Sequence, residues 1–162
     1  MNKYFIQKRL KPYLSDISAK NDFTLLNGNI SCCGHHNFEV LYNGSIVKNI
    51  FGKSYLIGNK PVFEAKCKIC ESKIRIFDSN TDGYDNCDTK TDATNATLTS
   101  FICPKCNTSD FEVKVSFEYL SKDDLDDEGI VDYGNSFTCI WISICCNNCG
   151  KKIKNFLVFE TG

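Results

Sequence analysis

Two cysteines separated by two residues can grip one metal ion from a single tight turn. This chain carries three such pairs: Cys67-Lys68-Ile69-Cys70, Cys103-Pro104-Lys105-Cys106 and Cys146-Asn147-Asn148-Cys149. A fourth cluster, Cys32-Cys33-Gly34-His35-His36, adds two thiols and two imidazoles. Two turns together supply the four ligands of a tetrahedral structural zinc. Distant segments must therefore return to a common point twice, and few folds allow that. Cys103, Cys106, Cys146 and Cys149 make one expected ligand set. Cys67 and Cys70 anchor the other, and their partners stay open. Laying Cys-Cys-Gly-His on Cys-Pro-Lys-Cys favours Cys32 with His35. Matching the distance to the following Phe-Glu-Val favours Cys33 with His36. All four are candidate ligands.

The 11 cysteines are an odd number, and six of them lie in the C-x-x-C pairs. The first residues, Met1 to Arg9, hold no apolar stretch of signal-peptide length. These features favour metal over disulfides, and a reducing cytoplasm over secretion. No run approaches the roughly 18 apolar residues of a membrane span, so no membrane partner is expected. A net charge of -1 gives no global attraction to nucleic acid.

Hydrophobic spacing divides the chain. Ile6, Leu10, Tyr13, Leu14 and Ile17 fall near helical spacing, so residues 1–27 read as a helical lead-in. From Phe38 the period becomes that of strands. Phe38-Glu39-Val40-Leu41-Tyr42 precedes Asn43-Gly44, a two-residue hairpin signal, with residues 46–51 as the return strand. Residues 55–57, 62–66 and 73–77 are further strands, with a turn at 58–61. Residues 79–100, rich in Thr, Asn and Asp, offer little to bury and read as a linker or surface loop. Asp78, Asp82, Asp85 and Asp88 lack the spacing of a helix–loop–helix calcium site and read as solvated carboxylates. Strands return at 110–115 and 137–145. The acidic run 122–128 between them reads as an exposed loop, with Ser121 available as a helix cap.

The second half restates the first. Asp110-Phe111-Glu112-Val113 echoes Asn37-Phe38-Glu39-Val40, and residues 149–156 echo 70–77 at an offset of 79. Such self-similarity marks a duplicated unit. Over residues 30–77 and 101–159 the paired knuckles resemble the zinc-ribbon class of folds. That resemblance implies antiparallel strands, two knuckles per metal and a structural ion. Ribbons often separate knuckles by some 15–20 residues. Here about 30 and 39 intervene, room for additional strands. The expectation is a mainly β protein of two tandem zinc-ribbon-like antiparallel units. The first spans 1–78 with a short N-terminal helical segment, 79–100 is the linker, and the second spans 101–162. About two Zn2+ per chain follow.

Four protein ligands leave a zinc no open position for water, and no nucleophile elbow or phosphate loop occurs. Cys139 and Cys145 lie in an apolar strand as small hydrophobes, and Cys87 lies in the linker as an exposed thiol. None has a neighbouring histidine to activate it. A redox dithiol at Cys103 and Cys106 would open a helix in a βαβ unit, whereas strands flank every knuckle. The reading is a non-enzymatic zinc-binding protein whose structural zinc supports a protein-binding or scaffold role. The alternative is nucleic-acid binding. Lys66, Lys68, Lys73 and Arg75 surround one knuckle, and Lys105, Lys151, Lys152 and Lys154 another. Tyr55, Phe77, Trp141 and Phe156 are the aromatics available to stack on bases.

Overall fold

The computed structural model describes residues 7–20, 24–48, 50–51, 54–57, 61–82 and 97–161. The strands, in chain order, are β1 (Leu14–Lys20), β2 (Leu25–Ile30), β3 (Phe38–Tyr42), β4 (Ser45–Lys48), β5 (Ser54–Ile57) and β6 (Val62–Cys67). They continue with β7 (Lys73–Asp78), β8 (Thr99–Ser100), β9 (Phe111–Tyr119), β10 (Phe137–Cys146) and β11 (Lys152–Glu160). Two short helices, α1 (Ser79–Asp82) and α2 (Lys122–Asp127), interrupt them. Strict alternation makes the central long strand, β9. Phe111, Val113, Val115, Phe117 and Tyr119 of β9 are buried, while the residues between them are not.

Nine strands form one antiparallel, curled sheet, and β4 with β5 forms a separate hairpin. β9 is the junction. It pairs with β10 from Phe111↔Cys146 to Tyr119↔Phe137. Its other edge holds β2 from Leu25↔Glu118 to Asn29↔Lys114, and meets β3 at Phe38↔Phe111. From β3 the sheet runs on through β6 to β7, and beyond β10 it ends in β11. Curling brings these two arms face to face. Phe77 of β7 stacks on Phe159 of β11 with ring centroids 4.2 Å apart. Phe63 of β6 meets Phe156 edge-on at 6.5 Å, and Phe101 lies 4.6 Å from Phe156 and 5.4 Å from Phe111. One buried cluster therefore draws on both halves of the chain. Each buried phenylalanine contributes on the order of 1.5–3 kcal/mol.

The N-terminal helical segment does not form in the described residues. A 3₁₀ turn at Lys11–Tyr13 leads directly into β1, and the first α-helix is Ser79–Asp82. A bulge explains the misleading spacing. Asp16 and Ile17 together oppose Gly28, because the β1–β2 register slips between Ser15 and Ser18. The extra residue puts Leu14 and Ile17, three apart, against the same core, which imitates a helix in sequence. Gly28 makes the room: a Cβ there would lie 3.0 Å from Leu14 Cδ2.

Asn43-Gly44 makes a turn, but β4 returns against β5 and not against β3. Asn43 is used otherwise: its Oδ1 accepts from the Val62 backbone N–H at 2.7 Å, fixing the start of β6. Ser121 caps α2, its Oγ accepting from the Asp124 N–H at 3.2 Å, so the acidic run is helical over 122–127. Asp82 is not a solvated carboxylate. Its side chain is 3% exposed and takes the Arg9 guanidinium through both oxygens, with Gln7 Nε2 at 3.1 Å and the Asp78 N–H at 2.8 Å. Residues 58–60 of the turn expected at 58–61, and residues 83–96 of the expected linker with Asp85, Cys87 and Asp88, lie outside the described residues. No helix among the described residues is long and apolar enough to cross a membrane.

Candidate metal centres

Each C-x-x-C turn leaves one strand and enters the next, and backbone hydrogen bonds fix its shape. The Cys67 N–H donates to Ser72 O at 2.9 Å and the Glu71 N–H to Cys67 O at 2.9 Å. The Cys146 N–H donates to Lys151 O at 2.9 Å and the Gly150 N–H to Cys146 O at 2.9 Å. At the third turn the Cys103 N–H donates to Thr108 O at 2.8 Å and the Asn107 N–H to Cys103 O at 2.9 Å. Each turn closes on a residue of positive φ just after its second cysteine: Glu71 at 61°, Asn107 at 58° and Gly150 at 70°. This left-handed step reverses the chain, so both thiols of a pair face the same side.

The turns converge in two sets of four sulfurs: Cys32, Cys33, Cys67 and Cys70, and Cys103, Cys106, Cys146 and Cys149. Within each set all four Sγ atoms lie within 4.8 Å of one another. The shortest approaches cross between turns. Cys32 lies 3.4 Å from Cys70 and Cys33 3.7 Å from Cys67. Cys106 lies 3.5 Å from Cys146 and Cys103 3.7 Å from Cys149. A disulfide would need about 2.05 Å. A tetrahedron of ~2.3 Å metal–sulfur bonds has sulfur–sulfur edges of about 3.8 Å. The donor sets therefore fit one tetrahedral ion each. All-thiolate coordination suits zinc, copper(I) or iron and does not suit magnesium or calcium.

At the first set two adjacent cysteines, rather than a cysteine and a histidine, complete the four. Cys32 and His35 form a tight bridge, with N–H to O distances of 3.0 and 2.9 Å each way. Cys33 and Gly34 both have positive φ, 46° and 77°, which swings the Cys33 thiol round beside Cys32. His35 Nδ1 donates to Cys33 O at 2.9 Å, and His36 Nδ1 to Ile30 O at 2.9 Å. Both rings thus bind backbone and stand outside the sulfur set.

The surroundings of the two sets differ. Cys32 and Cys67 are buried while Cys33 and Cys70 are exposed; Cys103 and Cys146 are buried while Cys106 and Cys149 are half-buried. Two hydroxyls have roles the sequence reading did not assign. Thr108 Oγ1 lies 3.1 Å from Cys106 Sγ and 3.4 Å from Cys146 Sγ. Its hydroxyl holds the Cys106 thiol down to about 5. Ser72 Oγ, 3.3 Å from Cys70 Sγ, with the Ser72 N–H holds that thiol down to about 6. Burial and the neighbouring thiols push Cys32 up to about 12. The signal was present: Cys70-Glu71-Ser72 and Cys106-Asn107-Thr108 both set a hydroxyl two residues past the second cysteine.

Among the described residues, the other two thiols stand apart from both sets. Cys139 is buried, and burial, with the carboxylates of Glu160 and Glu118, pushes it up to about 12. Cys145 is half-buried, its Sγ 3.9 Å from Gly150 O. No protein-family model, curated protein or solved structure matches this chain.

Proposed function

We propose that the chain is a non-enzymatic binding or scaffold protein whose sheet is held by two structural zinc ions, each bound by four thiolates. The observation that carries this is the double convergence of eight sulfurs into two closed sets of tetrahedral dimensions. When bound, each ion supplies a cross-link between turns about 35 to 45 residues apart in the chain. Four thiolates leave the ion no vacant position for a substrate or an activated water. The first set joins the turn after β2 to the β6–β7 turn. The second joins the segment before β9 to the β10–β11 turn. The matched hydrogen bonds of the turns support reading them as a duplicated zinc-ribbon-like unit. The class of partner that the outer face of the sheet fits is argued below.

Native mass spectrometry of the chain purified with zinc tests the proposal. Two zinc ions per chain are expected, and a chelator should release both with loss of the near-ultraviolet circular dichroism. A chain that holds no metal and stays fully ordered would overturn it.

A further inference from the structure

Among the described residues five non-glycine positions have positive φ: Asp16, Cys33, Glu71, Asn107 and Asn155. Cys33, Glu71 and Asn107 shape the metal turns. Asp16 and Asn155 have no part in them, yet both line one cavity of about 610 Å3 on the outer face of the sheet. Its floor crosses β1, β2, β9, β10 and β11. A bulge bounds it on either side. Asp16 and Ile17 oppose Gly28 in β1, and the β10–β11 register slips between Ile142 and Ile144, where the Asn155 N–H donates to Ser143 Oγ at 2.9 Å. Strained backbone and bulges cluster where side chains are re-aimed for binding, and the volume is that of an ordinary ligand site.

The lining says what would bind. Lys114, Lys152 and Lys154 are exposed and make no ion pair among the described residues. The cavity's acids are Asp16, which accepts from Asn29 Nδ2 at 2.9 Å, and Glu112 at the end nearest the metal turns. Amides and hydroxyls fill the floor between them, with Ser116 Oγ donating to Asn27 Oδ1 at 2.6 Å. Lys114 on β9 and Lys152 on β11 are two strands apart, on the order of 10 Å. Trp141 is the register partner of Ser116, so it shares this outer face beside the cavity. It is half-buried and is not among the residues packed on the core. Unpaired ammonium groups call for phosphates, and an aromatic face beside them calls for an unpaired base.

We propose that this cavity binds single-stranded nucleic acid, with Lys114, Lys152 and Lys154 on the phosphodiester backbone and Trp141 stacking on a base. It deepens the binding role proposed above and rests on it, because the same sheet carries both. The lysines that serve are Lys114 of β9 with Lys152 and Lys154 of β11, not Lys66, Lys68 and Lys73 beside the Cys67–Cys70 turn.

The test uses the metal-loaded full chain and fluorophore-labelled mixed-sequence 12-mers, roughly one to three site lengths of a small single-strand binder. Single-stranded DNA and RNA, the matching duplex and a mononucleotide are compared. Trp141 is the chain's one tryptophan, so its own fluorescence reports stacking directly. The expected result is single-strand binding with tryptophan quenching, and a salt slope of about −2 for three lysines. Lys114→Ala with Lys152→Ala and Lys154→Ala should weaken binding at least about tenfold near 50 mM salt and flatten the slope. Trp141→Ala should weaken it about five- to a hundredfold. Lys66→Ala with Lys68→Ala and Lys73→Ala should leave it unchanged. Tighter binding of duplex, equal binding of the mononucleotide, no binding at low salt, or loss only in the knuckle variant would each overturn the assignment. Native mass spectrometry of each variant separates the two readings. Two metals without oligonucleotide binding sinks this inference alone, whereas a metal-free wild-type chain sinks the zinc reading.

Discussion

Phe38 and Phe111 oppose each other in antiparallel register, both fully buried, where β3 meets β9. The residues before them extend the joint. Asn37 Nδ2 donates to both Asp110 carboxylate oxygens at 3.2 and 3.3 Å, and Asn147 Nδ2 donates to Asp110 Oδ1 at 2.8 Å and to His36 O at 3.1 Å. The Lys68 N–H donates to Asn37 O and the Asn147 N–H to Asp110 O, each at 2.9 Å. Each half thus presses a cysteine turn against the strand that meets the other half.

Phe38→Ala and Phe111→Ala should each cost about 3–5 kcal/mol, the usual range for a buried phenylalanine. The double variant should show a coupling of about 0.5–3 kcal/mol, because the two rings share one neighbourhood. Urea unfolding followed by fluorescence and by circular dichroism measures both. A single coincident transition is expected; two separate ones would show that the halves unfold independently.

Replacing a ligand should reach beyond its own turn. Cys103→Ser should reduce the metal count from two to one. Losing even about 4 of the roughly 10 kcal/mol that such sites supply would lower the melting temperature by about 8–16 °C. Cys67→Ser should do the same from the other half. Calorimetry with metal analysis checks this, and an unchanged metal count in either variant would count against the assigned ligands.

Acid should empty the two sets in order. Metal binding needs thiolates, so a ligand of depressed pKa stays competent to lower pH, and one of raised pKa is lost sooner. Thr108 holds Cys106 down to about 5, and at Cys146 its hydroxyl and nearby backbone outweigh burial, for a net lowering. Cys149 of that set is pushed up to about 11 by burial and its neighbouring thiols. In the other set Ser72 holds Cys70 down to about 6, whereas burial with the neighbouring thiols pushes two ligands up, Cys32 to about 12 and Cys33 to about 11. On acidification the Cys32/Cys33/Cys67/Cys70 set should therefore release its ion first. Thr108→Val should move release from the Cys103 set up by roughly 0.5–1 pH unit. A zinc-sensitive dye in a pH titration reads both steps.

Arg9 is the main charge partner of a nearly sealed carboxylate. Its Nε also donates to Arg75 O at 3.0 Å and its Nη2 to Ile76 O at 2.8 Å, so it ties the N-terminal segment to β7. Arg9→Ala should cost about 3–5 kcal/mol, because it strands Asp82 without a counter-ion. Adding Asp82→Asn should restore part of that loss. Denaturant titration of the three proteins decides, and equal stability of Arg9→Ala and wild type would refute it.

The legible parts of the chain were those governed by a single rule. Three of the turns follow from C-x-x-C alone, β7 and β9 follow from alternation, and β10 from a short, strongly apolar run. What escaped was governed by two rules at once. At Asp16 a bulge converts a strand's period into helical spacing, so Leu14 and Ile17 point the wrong way in sequence. Asn43-Gly44 has hairpin chemistry, but Asn43 spends its side chain on Val62, and β3 is already paired with β6, β8 and β9. The Cys32–His36 cluster held more donors than one site can use. Choosing among them depended on the positive φ of Cys33, which is not a glycine position and leaves no compositional mark. The cavity was invisible for another reason: it gathers residues from five strands, and of its lining only Lys152 and Lys154 stood out individually, with Trp141 beside it.

The pairing of β2 with β9 has a consequence for synthesis. The edge Leu25–Asn29 emerges early, but its partner residues Lys114–Glu118 are translated 85 to 93 residues later. At ordinary elongation rates that delay is roughly 5–20 s. During it the nascent chain presents an open, hydrogen-bond-hungry strand border to its neighbours on the polysome. Ribosome-associated chaperones, or early metal capture by the first knuckles, would have to guard that border until the distant strand arrives.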